Sequence, residues 1–272
     1  FGAAPVTGDF TLTARVLVNR VWQSHFGRGL VDTPSDFGLN GAAPSHPELL
    51  DYLATEFIRS GWSIKQLQRL ILLSAAYQQS STIDSRAADL DRDNQLVWRF
   101  SSRRLEGEAI RDCMLAVSGE LNLKMGGPGF NFFKSRGGLD GFVPLEEQGP
   151  EEMRRMVYSH KVRMEPAPVF GAFDCPDAGQ AMPNRSRSHT AIQALNLFNS
   201  PFVAARSEKF AARIQTLQPI DVEQQVAAAF EFTVGRQPAE VERTASAEIV
   251  RAHGLATLCR VLFNSNEFLF LP

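Results

Sequence analysis

The sequence predicts a mainly all-α protein, a multi-helix orthogonal bundle interrupted by a long irregular, glycine-rich insertion. Three observations carry that expectation. Apolar residues recur at helical spacing through residues 13–77 and again through residues 188–272. Glycines and Ser or Thr caps punctuate those runs at their ends. Residues 124–187 lose the period and fill with glycine, proline and aromatic residues. The 272 residues therefore read as one helical domain with a first helical unit (13–77), an irregular segment (124–187) and a C-terminal helical unit (188–272).

Taken in order, Val16, Leu17, Val21, Trp22 and Phe26 form the apolar side of a first helix over 15–25, which stops at Gly27-Arg28-Gly29. Ser45 and Glu48 have capping-box spacing before a second helix whose stripe is Leu49, Leu50, Leu53, Phe57 and Ile58. Gly61 ends it. Ser63 with Gln66 repeats the capping pattern, Trp62 and Leu67 are placed as a staple, and a third helix runs on through Leu70, Ile71 and Leu73. Residues 80–94 read as a polar surface connection. Residues 103–123 read as one long helix with Leu105, Ile110, Met114, Leu115 and Val117 on its buried side.

Seven glycines and three prolines between Lys124 and Glu151 leave no room for a helix of normal length. A short extended segment is expected around 156–164, a helix over 190–198, and another over 202–214 opened by Ser200-Pro201. Helices follow over 222–232 and through 258–268.

Composition narrows the function classes. Twenty-eight Lys and Arg against 30 Asp and Glu give a formal charge of −2, so no bulk basic signal points to nucleic acid or an anionic membrane. No apolar run reaches the roughly 20 residues a membrane span needs, and the start FGAAPVTGDF reads as the edge of a piece of a longer protein. Cys113, Cys175 and Cys259 form no CxxC or CxxCH, which excludes covalent c-type haem within these residues. Cys113 and Cys259 sit among apolar residues and read as buried free thiols, whereas Cys175 in the FDCPD loop reads as the one open to chemistry.

Polar residues on otherwise apolar elements supply the candidate site: Arg15, Asn19 and Arg20 on the first helix, Arg104, Glu108 and Arg111 on the long helix, and Arg163, Asp174, Arg185 and Gln193 around and after FDCPD. Such groups on inward faces must be paired, so they form either a ligand site or a structural network. Arginines there would grip an anion in bidentate fashion or satisfy the carbonyls of irregular backbone. Charges over 103–112 also fit i,i+3 and i,i+4 pairing on a solvated face. No HExxH, GxSxG or Walker motif is present, and His25, His46, His160, His189 and His253 are scattered, so neither a metal nor a cofactor is expected.

Two internal matches stand out. The first helix leads into FGRGL (26–30) much as residues 222–232 lead into VGRQP (234–238), and LQRLILLSAAY (67–77) lies on LCRVLFNSNEF (258–268) with Leu, Arg and Ser coinciding. A diverged internal duplication would explain both.

NRVWQSHFGRGLVDTPSDFG, PSHPELLDYLATEF, GWSIKQLQRLILLSAAYQQS, RRLEGEAIRD, MGGPGF, FDCPD with QALNLFNSPF, GRQPAEVE and LFNSNEF occur in that order across almost the whole chain. Together they resemble the planctomycete family catalogued as domain of unknown function 1553. The resemblance implies a C-terminal module of a larger secreted protein, extracytoplasmic (periplasmic or secreted), with haem c carried by a cytochrome-like domain elsewhere in the parent chain. It transfers no catalytic residues. Two functions follow as expectations: docking against the haem-bearing or other domains of the parent, or a ligand-binding or catalytic domain acting on an extracytoplasmic substrate such as a polysaccharide.

Overall fold

A computed structural model of the chain describes residues 11–134, 143–145, 148–163, 167–176, 179–180, 182–218 and 221–271. It is mainly α-helical, as the periodicity predicts. The described chain divides into two compact units, Phe1–Arg103 and Arg104–Leu271, where the sequence reading drew one domain over 1–272.

In the first unit, helices α1 (Thr11–Phe26), α2 (Pro47–Arg59) and α3 (Ile64–Leu72) pack together, followed by the short α4 (Ala75–Gln78) and α5 (Ser85–Leu90). Ala14, Val18 and Trp22 of α1, Leu50, Leu53 and Phe57 of α2, and Leu67 and Ile71 of α3 form its core. Each of the Val, Leu, Ile and Phe side chains among them gains about 1.5–3 kcal/mol by leaving water. Gly27, at φ 83°, ends α1 with its N–H on the Gln23 carbonyl at 2.8 Å; a side chain in this left-handed conformation would be strained. Ser63 and Ser74 cap α3 and α4, accepting from the N–H groups of Gln66 and Tyr77.

One expectation is corrected here and two are made more definite. Ser45 does not cap α2: His46 holds that position without a side-chain bond, and the Ser45 hydroxyl donates to the Leu30 carbonyl at 3.2 Å instead. Residues 80–94 contain the helix α5, which Asp84 caps through the Ala87 N–H. Leu70 and Leu73 are exposed, because the core needs only the Leu67 and Ile71 stripe of α3.

Unit two opens at Arg104, in the two-residue strand β1 (Arg103–Arg104), which pairs with β2 (Phe270–Leu271). The Leu105 N–H on the Leu269 carbonyl at 2.7 Å ties its start to its end. The long helix expected over 103–123 is only α6 (Gly107–Ser118); Gly119 in left-handed conformation (φ 82°) stops it, and the polar residues before it are extended. Helices α7 (Ala191–Asn199), α8 (Pro201–Leu217), α9 (Val222–Val234), α10 (Glu240–His253), α11 (Leu255–Phe263) and α12 (Asn266–Leu269) complete the order.

The core of this unit joins Ile110 and Met114 of α6 to Phe210 and Ile214 of α8, Val226 and Phe230 of α9, and Leu258, Cys259 and Phe263 of α11. Phe130, Phe132 and Phe133 of the glycine-rich segment enter it too, so that segment is anchored by its aromatics. The extended segment expected from Met156 begins as a 3-10 turn (Met156–Tyr158) and becomes extended after it, where backbone bonds run both ways between Phe130 and the Tyr158–His160 stretch. Residues 135–142 and 146–147 of the insertion, and Met164 at the end of that stretch, lie outside the described residues.

Candidate functional site

The polar residues of the second unit are brought together in three linked knots. In the first, Arg104, buried to 4% exposure, donates to the Asp174 carboxylate at 2.7 Å and to the Phe173 carbonyl at 3.4 Å, with its guanidinium over the Phe173 ring. Asp174 sits in left-handed conformation (φ 58°) and takes the Ser188 N–H at 2.8 Å and its hydroxyl at 2.9 Å. Gln193 donates to the Ala172 carbonyl and to the Ser188 hydroxyl, both at 3.0 Å, and completes a capping box with Thr190 at the start of α7. Phe173 and Asp174 are thereby pinned between Arg104 and the start of α7.

In the second knot, Arg185 holds Glu108 through two bonds of 2.8 and 2.9 Å and reaches Glu106 at 2.9 Å, while the Lys161 ammonium lies 3.7 Å from Glu108. Burial works to raise the Glu108 pKa, but the bonds from Arg185 and its own backbone N–H, with the charges of Arg185 and Lys161, outweigh it and hold the carboxyl at about 2. Cys175 adjoins the same carboxylate. Burial first, and then the Glu108 charge, push its thiol up to about 12, so the cysteine whose loop position leaves open a ligand, a disulfide partner or no special role carries a protonated thiol. Gly107 lets α6 approach closely: a Cβ there would meet the Cys175 sulfur at 2.9 Å and Phe173 Cβ at 3.0 Å.

The third knot is built from backbone acceptors. Arg111 is fully buried, donating to the carbonyls of Arg154 at 2.9 Å and of Glu152, with its guanidinium over the rings of Phe130, Phe132 and Phe202. Burial lowers its pKa to about 10, which leaves it charged at neutral pH. Arg154 donates to the carbonyls of Lys124, Gly126 and Pro128, and Asp112 accepts the Met156 N–H at 2.7 Å. Arg104 and Arg111 are not helix-surface charges: both are buried and bond backbone carbonyls, whereas Glu106 stays exposed.

The remaining candidates behave differently. In the first unit, Asn19 is fully buried and clasps Val31 by both its backbone groups, at 3.0 and 2.8 Å, fixing the turn after α1. Arg15 pairs with Asp51 at 2.6 Å on the surface, and Arg20 is exposed without an ion pair among the described residues. In the second unit, Arg163 is exposed and stands outside the three knots. Sequence reasoning left Asp112, Arg154, Lys161, Cys175 and Ser188 off the candidate set. Ser188 had a signal, two residues before a helix cap, and Arg154 had one in the arginine-rich stretch that reads as bonding the carbonyls of irregular backbone, which it does; Lys161 had none, since its partner is distant in sequence.

Every guanidinium in these knots already faces protein acceptors, and the thiol beside them is neutral. Among the described residues no group of three or more His, Cys, Asp or Glu is arranged to hold a metal ion, and no helix is long and apolar enough to cross a membrane. What the arrangement does chemically is fix loops to helices.

Comparison with curated proteins and with solved structures returns no match. A family profile described as "Protein of unknown function (DUF1553)" matches residues 5–250, nearly the full chain that the knots and both helical units occupy. The chain belongs to this family, PSD1.

Proposed function

We propose that this chain is an interaction module of a larger extracytoplasmic protein, docking against its haem-bearing or other domains, and that its polar cluster is structural. The observation that supports this reading is where the arginines of the cluster point: Arg104, Arg111, Arg154 and Arg185 each bond carboxylates or carbonyls of the chain itself, and only Nε of Arg104 and of Arg111 is left without a partner among their described buried atoms. Stripping one partner from such a buried network costs stability first, because the other is left unpaired in a low dielectric. Exposed apolar side chains, by contrast, gather on α3, where Ile64, Leu70, Leu72 and Leu73 are 38–64% exposed. Exposed apolar side chains gathered on one helix, interspersed with polar ones, suit association.

A thermal-shift panel of oligosaccharides, divalent metals and anions on the full chain tests the reading. It predicts no saturable rise in melting temperature, a lowered melting temperature for Arg104→Ala and Arg185→Ala, and mutual stabilisation when a neighbouring domain of the parent is added. A saturable ligand shift lost in Arg185→Ala would replace docking with ligand binding at the Glu108 knot, for which a polysaccharide is the substrate class to try first.

A further inference from the structure

We propose that the outer face of α3 is the docking surface, and that its occupant is an amphipathic helix of a partner domain with carboxylates along its flanks. This rests on the interaction-module reading and names the surface and the partner's chemistry. Helices α3 and α11 correspond residue by residue through Leu67/Leu258, Arg69/Arg260, Ile71/Leu262 and Ser74/Ser265. In both, one stripe faces the neighbouring helices of its own set: Leu67 and Ile71 are each 2% exposed, Leu258 and Leu262 2% and 5%.

The next stripe round the helix separates them. Leu255, Cys259 and Phe263 are 3%, 0% and 0% exposed, whereas the corresponding Ile64 and Leu72 are 46% and 39% exposed and Gln68 is exposed as well. The cover over α11 is α8, its main packing partner, with the Phe263 ring stacked on Phe210 at 5.7 Å. Further round, Arg260 lies against the Phe198 ring and Asn264 donates to the Ala194 carbonyl, both on α7; the corresponding Arg69 and Leu73 are exposed. A helix therefore covers this face in one set, and the same face in the other set lies open.

The open face also states what it would accept. Ile64 and Leu72 lie two turns apart with Gln68 between them, Lys65 and Arg69 come next round the helix, and beyond these Leu70 and Leu73 border a shallow groove of about 530 Å³ lined also by Glu56, Phe57, Gln66 and Leu67. Lys65 and Arg69 stand exposed between Ile64 and Leu73 and make no ion pair among the described residues. Apolar side chains at helical spacing on the partner would fill the stripe, and acidic flanks would complement the two free cations. Gln68 in the place of Cys259 keeps the open stripe wettable.

The test uses the full chain and two synthetic helices with the same Leu stripe, one flanked by Glu and one by Lys, followed by fluorescence anisotropy. The Glu-flanked helix is expected to bind about tenfold tighter or better. Leu72→Asp/Leu73→Asp should abolish binding and Lys65→Glu/Arg69→Glu should reverse the preference, while Leu123→Asp, on an exposed leucine of the other unit, changes nothing. All five positions are exposed, and an unchanged melting temperature checks that each variant folds. Equal binding of both helices, binding that survives Leu72→Asp/Leu73→Asp, or no binding of either overturns the proposal. So does self-association of the chain through this face, seen by sedimentation and lost in Leu72→Asp/Leu73→Asp, since the occupant would then be a second copy. Failure here leaves the docking reading standing if a parent domain still stabilises the chain regardless of the α3 variants; a ligand shift at the Glu108 knot removes that reading instead.

Discussion

The helices α1 to α4 and the helices α9 to α12 are built on the same local instructions and put to different uses. In each, a helix ends on a left-handed glycine followed by arginine (Gly27 at φ 83°, Gly235 at φ 70°), and the next ends near another (Gly61 at φ 71°, Gly254 at φ 84°). A third helix then stops at a serine, Ser74 or Ser265, which takes the N–H of the residue three on at 3.3 Å and donates back to the carbonyl three before. The arginine after the glycine shows the divergence: Arg28 pairs with nearby Asp32, while Arg236 bridges Glu242 and Glu267 and so ties the α9–α10 turn to α12. Local grammar sets the helices; what covers them sets their role. The later set is sealed into a core by α8, and the earlier set keeps one side of α3 exposed.

Substitution at corresponding positions sharpens this contrast most. Phe263→Ala should destabilise the chain by about 3–5 kcal/mol, since it empties a buried aromatic site, whereas Leu72→Ala should stay within about 0.5 kcal/mol. Urea unfolding read by fluorescence and circular dichroism separates them, and similar losses would break the contrast.

The polar residues divide in the same way. Arg111→Ala should cost about 3 kcal/mol or more, because it strands buried carbonyls and opens space among three rings, while Arg15→Ala removes a surface ion pair worth about 1 kcal/mol at most. Equal effects would mean that the buried knot contributes no more than a surface pair.

Where the two sets share grammar, they should respond alike. Gly27→Ala and Gly235→Ala should each cost about 1–2 kcal/mol, as each forces a Cβ into left-handed backbone. Ser74→Ala and Ser265→Ala should each cost about 1 kcal/mol through loss of a cap. A response in one set only would argue against common construction, as would poor superposition of the two sets.

A further effect is one of pH. Glu108 has its pKa held at about 2 against 4.5 unfolded, so the stability its ionised form contributes is present above pH 4.5 and lost as pH falls toward 2. Glu108→Gln should therefore differ from the parent at pH 6 and converge with it near pH 2. Cys175 has the opposite sign: its thiol stays protonated in the fold, so native alkylation at pH 8 should be far slower than in urea.

Much of this was legible in residues whose meaning is local. Gly27, Gly61 and Ser63 mark helix ends through bonds made within four residues, and the apolar stripes of α2 and α6 follow from period alone. What stayed hidden depends on distance in sequence. Ser45 has ideal capping spacing, yet its hydroxyl is claimed by Leu30, fifteen residues away. Arg104 and Arg111 look like helix-surface charges until a loop some 40 to 70 residues later supplies their acceptors. No spacing rule reports that Cys175 would be packed against Gly107 and Glu108, which turns an exposed-looking cysteine into an inert one.

Hydrogen exchange of α3 and α11 in the intact chain, with and without the Glu-flanked helix, tests the central claim most directly. The account predicts that α11 amides open only with global unfolding, that α3 amides exchange faster, and that the added helix slows exchange in α3 while leaving α11 unchanged. Exchange in α3 as slow as in α11 without any addition, or no slowing when the helix is present, would contradict it.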